Sequence, residues 1–274
     1  MKKYFITSDI HSFYTPLIVA LEKNEFDINN PEHILVVLGD VFDRGNETLD
    51  VYYFLTTTLS EDRIILIRGN HELLYLDLLK KDFPDSYDFN NGTVRTFCQI
   101  ARYGEEALSW KYWFMLGEEE PYERIHQTWK EIVKEVKNSE ITKWIQSKQW
   151  INYLETNKYI MVHSWIPMTQ AYYKGYIQEV NYREDWRNAT ATEWADATWG
   201  CPWKKALLGF NKTTKTIVCG HWHTSDFFNN LTKQKKDEYD CPLFKSKKYK
   251  LIGLDACTVA SNKINILVLN EDEL

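Results

Sequence analysis

One junction recurs along this chain: a run of apolar residues breaks abruptly into a polar cluster. The clusters, in order, are Ser8-Asp9-Ile10-His11, Gly39-Asp40, Gly69-Asn70-His71-Glu72, His163-Ser164 and Gly220-His221-Trp222-His223. The runs before them include HILVVL (33–38), RIILI (63–67), KYIMV (158–162) and KTIVC (215–219). Short, continuous apolar runs of this kind read as strands covered on both faces. Helical patterns follow the first three clusters, at 16–26, 48–59 and 71–81, and Pro16 suits a first turn. Strand–helix–strand alternation at this spacing predicts α/β architecture.

The pattern changes at about 84–157, where aromatic and charged residues alternate at helical spacing, and this predicts a helical insertion. Strands resume at 158–162, 215–219, 249–255 and 263–270. A second stretch, about 166–213, is rich in tryptophan and does not read as sheet core. All eleven tryptophans fall between Trp110 and Trp222. Packing of helices onto a sheet accounts for most of them, with a few available to line a pocket. With no repeat, low-complexity tract or linker, residues 1–274 read as a single domain carrying two insertions.

Composition excludes several classes. A net charge of −6 disfavours a nucleic-acid surface, which needs Lys and Arg against phosphate. The basic runs at 233–236 and 245–250 lie in polar sequence and read as solvated loops. No apolar run approaches the length of a membrane span, and the short one at the start breaks at Ser8-Asp9, unlike a signal peptide. Five scattered cysteines without a CxxC pair disfavour a disulfide framework and fit a reducing cytoplasm. The terminal EDEL reads as an acidic, frayed tail.

In α/β sheets, sites form beyond the carboxyl ends of the strands. The five clusters therefore converge, bringing together carboxylate, imidazole and carboxamide donors. Such donors suit Mn, Fe or Zn, and the absence of cysteine disfavours a structural zinc site. A carboxylate between two cations can bridge them, and such a pair can clamp a water and a phosphoryl oxygen.

Three motifs carry a resemblance: SDIHS (8–12), GDVFDRG (39–45) and RGNHE (68–72). They resemble, in order, the motifs of the calcineurin-like metallophosphoesterases, with greatest similarity to the phosphoprotein phosphatase branch. That branch includes bacterial and phage protein phosphatases and symmetrical diadenosine tetraphosphatases. The likeness continues through His163, GHWH (220–223) and the closing segment 254–270, and is silent over most of 80–157 and 166–214. It implies a four-layer α-β-β-α sandwich and two metal ions. By this resemblance Asp9, His11 and His223 bind one metal, Asn70, His163 and His221 the other, and Asp40 bridges them. Arg44 holds the substrate phosphate. His71 protonates the leaving oxygen or steadies the transition-state charge, with Asp43 orienting its ring. Ser8 and Ser12 stand where the family has glycines. Arg183 and Arg187 are candidates for a second phosphate-binding arginine.

Trp165 and Trp222 adjoin expected ligands and could stack a base. Glu72 reads as part of a helix's first turn, Arg68 as a brace of its loop, and Asp226 and Asp255 as local caps or supporting groups. The expected function is metal-dependent hydrolysis of a phosphate monoester, on a phosphoprotein or small molecule. The rivals are a dinucleoside polyphosphate or nucleotide diester hydrolase, and a metal-holding regulatory protein without turnover.

Overall fold

The computed structural model describes residues 1–173, 176–200, 202–209 and 213–274. Cys201 lies outside the described residues, as do parts of the second insertion.

The strands are β1 (Lys3–Thr7), β2 (His33–Val37), β3 (Ile64–Ile67), β4 (Trp150–Ile151), β5 (Tyr153–Glu155), β6 (Tyr159–Val162), β7 (Thr169–Tyr173), β8 (Tyr176–Asn181), β9 (Thr216–Cys219), β10 (Phe244–Ser246), β11 (Leu251–Gly253) and β12 (Leu267–Asn270). They form two five-stranded sheets, ordered β12-β1-β2-β3-β4 and β10-β11-β9-β6-β5, and a separate β7-β8 hairpin. The inner pairs β1-β2, β2-β3, β6-β9 and β9-β11 are parallel. The clusters that follow these strands therefore emerge on one edge of each sheet.

Side-chain alternation along the strands builds the layers. Ile6, Val36, Ile67, Met161, Val218 and Ile252 share one buried cluster drawn from both sheets, which packs the sheets face to face. The alternate residues Phe5, Leu35, Val37 and Leu66 join helical side chains such as Leu17, Leu78 and Phe97. On the far side, Ile160, Val162, Ile217 and Leu251 pack against Trp165, Trp186, Trp194 and Trp203. The result is the expected four-layer α-β-β-α sandwich, and the tryptophan-rich stretch forms one of its outer layers.

Several local expectations shift. Residues 150–155, read as the end of the helical insertion, pair instead as β4 and β5, one in each sheet. The segment at 48–59 starts as an α-helix at Thr48–Tyr53 and widens into a π-helix at Phe54–Thr58. Its threonines are β-branched residues, which tolerate helix interiors poorly. Of the strand expected at 263–270, only Leu267–Asn270 pairs in the sheet. Among the described residues, no helix is long and apolar enough to cross a membrane.

Candidate metal centre

The loops beyond β1, β2, β3, β6 and β9 meet between the sheets. Their backbone is unusual. Asp9 (φ 52°), His11 (51°), Ser12 (59°), Asp40 (55°), Asp43 (76°), Arg44 (64°) and His221 (59°) all occupy the left-handed region, although none is glycine. Each costs on the order of 1 kcal/mol, and such residues concentrate where a site requires them. Ser12, standing where a glycine was expected, adopts that geometry, and its hydroxyl is 2.9 Å from the Thr48 hydroxyl.

Asp40 lies at the centre and is 2 % exposed. One carboxylate oxygen, Oδ2, is 3.8 Å from His11 Nε2 and 3.9 Å from His71 Nε2. The other, Oδ1, is 3.4 Å from His163 Nε2 and accepts the His71 backbone N–H at 2.9 Å. Two donor groups result, His11–Asp40–His71 and Asp40–His163–His221, with Asp40 common to both. Asn70 completes the second, its Oδ1 lying 2.8 Å from His163 Nε2 and 2.9 Å from His221 Nδ1.

The outer nitrogens of two histidines are engaged. His11 Nδ1 donates to the Phe42 carbonyl at 3.0 Å and His163 Nδ1 to that of Leu38 at 2.6 Å. A proton on Nδ1 leaves Nε2 as a bare lone pair in the neutral ring. Both Nε2 atoms point at Asp40, and that of His163 also faces the Asn70 carbonyl oxygen. Acceptors facing acceptors in a buried space call for a cation between them, and backbone-anchored imidazoles are how metal-binding histidines are held. The donor set of imidazole, carboxylate and carboxamide thus fits divalent metal.

Charge follows the same logic. Burial pushes the His11 and His221 pKa values down, the latter to about 3, so both rings are neutral donors. Burial, the largest single influence on Asp40, pushes its carboxyl up, but the surrounding imidazoles, His163 and His71 foremost, outweigh it and hold the group below the carboxylate range. Asp9 is raised by burial and by the nearby Asp255 and Asp40 charges, the unfavourable crowding that a cation relieves.

The structure places Asp9 beside the centre, its carboxylate accepting the His221 backbone N–H at 3.0 Å. His223 stands apart: its side chain is 40 % exposed, and its Nε2 is 3.8 Å from Asp255 Oδ2. Neither joins the two tight donor groups.

His71 Nδ1 is 2.7 Å from Asp43 Oδ2, and Arg44 Nη2 is 3.2 Å from His71 Nε2. A guanidinium directed at Nε2 competes with a cation there, which separates His71 from the metal-facing histidines despite its nearness to Asp40.

The other expected substrate-binding residues are placed as follows. Trp165 is 1 % exposed and packs among Ile160, Val162 and Trp203, so it presents no ring face to a ligand. Trp222 is half-buried. Its indole N–H donates to Ser164 Oγ at 3.0 Å, and its ring stands edge-on to His221, 4.7 Å between centroids. Arg183 is bound by Asp185 and Glu193, and Arg187 by Glu155, so neither guanidinium is free for phosphate.

Sequence reasoning undervalued two residues. Glu72 does cap its helix, but its carboxylate also accepts N–H groups from Gly69 (2.7 Å), Asp40 (3.0 Å) and Val41 (2.9 Å), binding two motif loops together. Asp255 is buried, accepts the Cys257 N–H at 2.7 Å and faces His223. The signal was present, since Asp255 follows an apolar run as the other clusters do.

This fold, with a shared-carboxylate donor set at its strand ends, defines a metallophosphoesterase-type protein. The chain belongs to the family described as Calcineurin-like phosphoesterase, whose model matches residues 2–225. It is 37% identical over 73 residues to the symmetrical bis(5'-nucleosyl)-tetraphosphatase of Buchnera aphidicola subsp. Acyrthosiphon pisum (strain Tuc7), covering 27% of this chain and 25% of that protein. It is 32% identical over 74 residues to the asymmetrical bis(5'-nucleosyl)-tetraphosphatase PrpE of Bacillus subtilis, covering 25% of this chain and 30% of that protein. The match therefore spans about a quarter of the length of these curated relatives. Among solved structures, the cold-active protein-tyrosine phosphatase of a psychrophilic Shewanella species aligns with a TM-score of 0.54 at 15% identity, over 99% of this chain and 76% of that one. At that identity the likeness concerns the fold.

Proposed function

We propose that this protein is a dinuclear metal-dependent hydrolase of phosphate monoesters, on a phosphoprotein or small molecule. The observation that carries the reading is the division of Asp40: its two oxygens face two separate sets of donors. Asp40, His11 and Asp9, with His223 drawn in from 40 % exposure, would hold one cation; Asp40, Asn70, His163 and His221 would hold the other. The nitrogen and oxygen donors suit Mn, Fe or Zn. When bound, two such cations supply positive charge to phosphoryl oxygens and acidify a water.

The chain's own residues supply the rest. Arg44, whose Nη2 lies 3.2 Å from His71 Nε2, offers a planar fork to phosphate oxygens. His71, beside it, when protonated on both nitrogens, delivers the Nε2 proton to the departing oxygen as the P–O bond to the alcohol breaks and the water oxygen bonds to phosphorus, and the proton that the water gives up restores the ring. Asp43 holds His71 Nδ1, so the ring keeps Nε2 directed inward. A cytoplasmic setting belongs to this reading, supported by the free thiols Cys98, Cys219, Cys241 and Cys257.

A second reading is hydrolysis of a dinucleoside polyphosphate, favoured by the tetraphosphatase names of the Buchnera and Bacillus relatives. The test is metal-supplemented hydrolysis of a chromogenic monoester, a chromogenic diester and a dinucleoside tetraphosphate, side by side. Preference for the monoester supports the first reading and preference for the tetraphosphate the second. Failure on all three with metal bound would leave a metal-holding regulatory protein.

A further inference from the structure

The helix Thr93–Ala101 lies within 84–157, the stretch where the motif resemblance is silent, yet Thr93, Arg95, Thr96 and Gln99 all hydrogen-bond to the loop 43–48. Thr96 Oγ1 donates to Asp43 Oδ1 at 2.7 Å and accepts the Asp43 N–H at 3.0 Å. Thr93 Oγ1 donates to Asp43 Oδ2 at 2.8 Å. Arg95 Nη1 donates to the Arg44 carbonyl at 2.7 Å, while its Nε is engaged by Glu105. Gln99 donates to the Gly45 carbonyl at 2.9 Å and accepts the Thr48 N–H at 3.0 Å. Gly92, just before the helix, lies so close that an added Cβ would stand 2.3 Å from the Arg44 nitrogen.

We propose that this helix is a positioning element for the reacting loop: Thr93 and Thr96 aim Asp43 at His71, and Arg95 sets the backbone from which Arg44 reaches phosphate. The inference rests on the hydrolase reading above. Positions three apart on a helix share a face, which places both hydroxyls over one carboxylate. Asp43 is 1 % exposed, and Thr93 and Thr96 are fully buried. Hydroxyls satisfy the carboxylate's lone pairs without cancelling its charge, which leaves that charge to the imidazole 2.7 Å away. The loop also needs holding, because Asp43 and Arg44 both sit at positive φ. A helix serving only to fill space would meet this loop with apolar side chains. Here Thr93, Arg95 and Thr96 end on the carboxylate or backbone of Asp43 and Arg44, the residues that orient the proposed proton donor and clamp the phosphate.

The experiment compares Thr93→Val, Thr96→Val, the double variant and Thr96→Ser on an aryl phosphate and an alkyl phosphate. An alkoxide leaves poorly and depends on a delivered proton, whereas an aryloxide depends on it less. The valine variants should lose about tenfold or more in kcat on the alkyl ester and markedly less on the aryl ester, with KM and metal content retained. Thr96→Ser, which keeps the hydroxyl, should restore the alkyl rate. Arg95→Gln should instead raise KM for both esters and weaken inhibition by inorganic phosphate. Equal loss on both esters, tracking a fall in thermal midpoint, would overturn the proposal, as would Thr96→Ser behaving like Thr96→Val. A readout independent of turnover separates this inference from the hydrolase reading. The His71 Nδ1 proton, identified as the downfield NMR resonance missing in His71→Asn, should shift in the double valine variant. If the wild type hydrolyses no ester, the hydrolase reading fails, and a shift of that resonance still upholds positioning. An unmoved resonance overturns it.

Discussion

Gly39 and Gly69 pack backbone against backbone: a Cβ built on Gly39 would lie 2.5 Å from the Gly69 Cα and 2.7 Å from His163 Nδ1. This contact draws the loops after β2 and β3 close enough for Asp40 and Asn70 to face the same histidine. Gly39 also has φ +83°, which side chains rarely adopt. Gly39→Ala should therefore destabilise the fold by at least about 2 kcal/mol, lowering the thermal midpoint by roughly 4–8 °C. A calorimetric scan matching the wild type would show that the loops can separate without cost.

Elemental analysis after mild purification should find up to two transition-metal ions per chain. Asp40→Asn should deplete both, because both donor groups share this carboxylate. Full metal content together with full activity in Asp40→Asn would remove the bridging role.

His71→Asn should lose about 10²–10⁴-fold in kcat, the usual worth of a general acid, and retain the fold and most of the metal. Asp43→Asn should lose less in the same step, since it orients the ring through a 2.7 Å contact and touches no substrate. Wild-type turnover in both variants would take the pair out of the mechanism.

Arg44→Ala should impair monoester hydrolysis more than diester hydrolysis, because a monoester dianion presents more charged oxygens to the fork. Arg44→Lys should rescue only in part, since an ammonium cannot bind bidentately. The quantity to measure is kcat/KM for each variant on a matched ester pair. Equal losses on both would favour the nucleotide-hydrolase reading.

Acid stability should depend on Glu155, whose carboxylate is paired with Arg187 and Lys215 and thereby held down to about 2. A depressed folded value means that the ionised form stabilises the fold. That contribution is complete above the ordinary value of 4.5 and is lost as pH falls toward about 2. Arg187 is 41% exposed, so solvent screening limits the contribution to about 1 kcal/mol. Thermal midpoints of wild type and Glu155→Gln should differ near neutrality and converge at low pH. A constant gap across the range would mean the pair carries no linked protonation.

The sequence by itself determined what depends on order and spacing. Apolar runs ending in Gly39-Asp40, Gly69-Asn70-His71 and Gly220-His221 announce strand ends, and residue chemistry limits what can gather there. These signals are local, so they survive in a linear reading. Tertiary structure decided what depends on contacts between distant segments. Trp165 lies in the loop after β6, and only the packing of that loop into the outer apolar layer buried it. Residues 150–155 became strands because two sheet edges stood open beside them, although helical patterning preceded them. Thr93 and Thr96 carry no motif, and their link to Asp43 spans about fifty residues of chain. Glu72 looks in sequence like an ordinary first-turn acid. Only the approach of Asp40 and Val41 from another loop, with N–H groups that had to be satisfied away from water, made it a junction of the site.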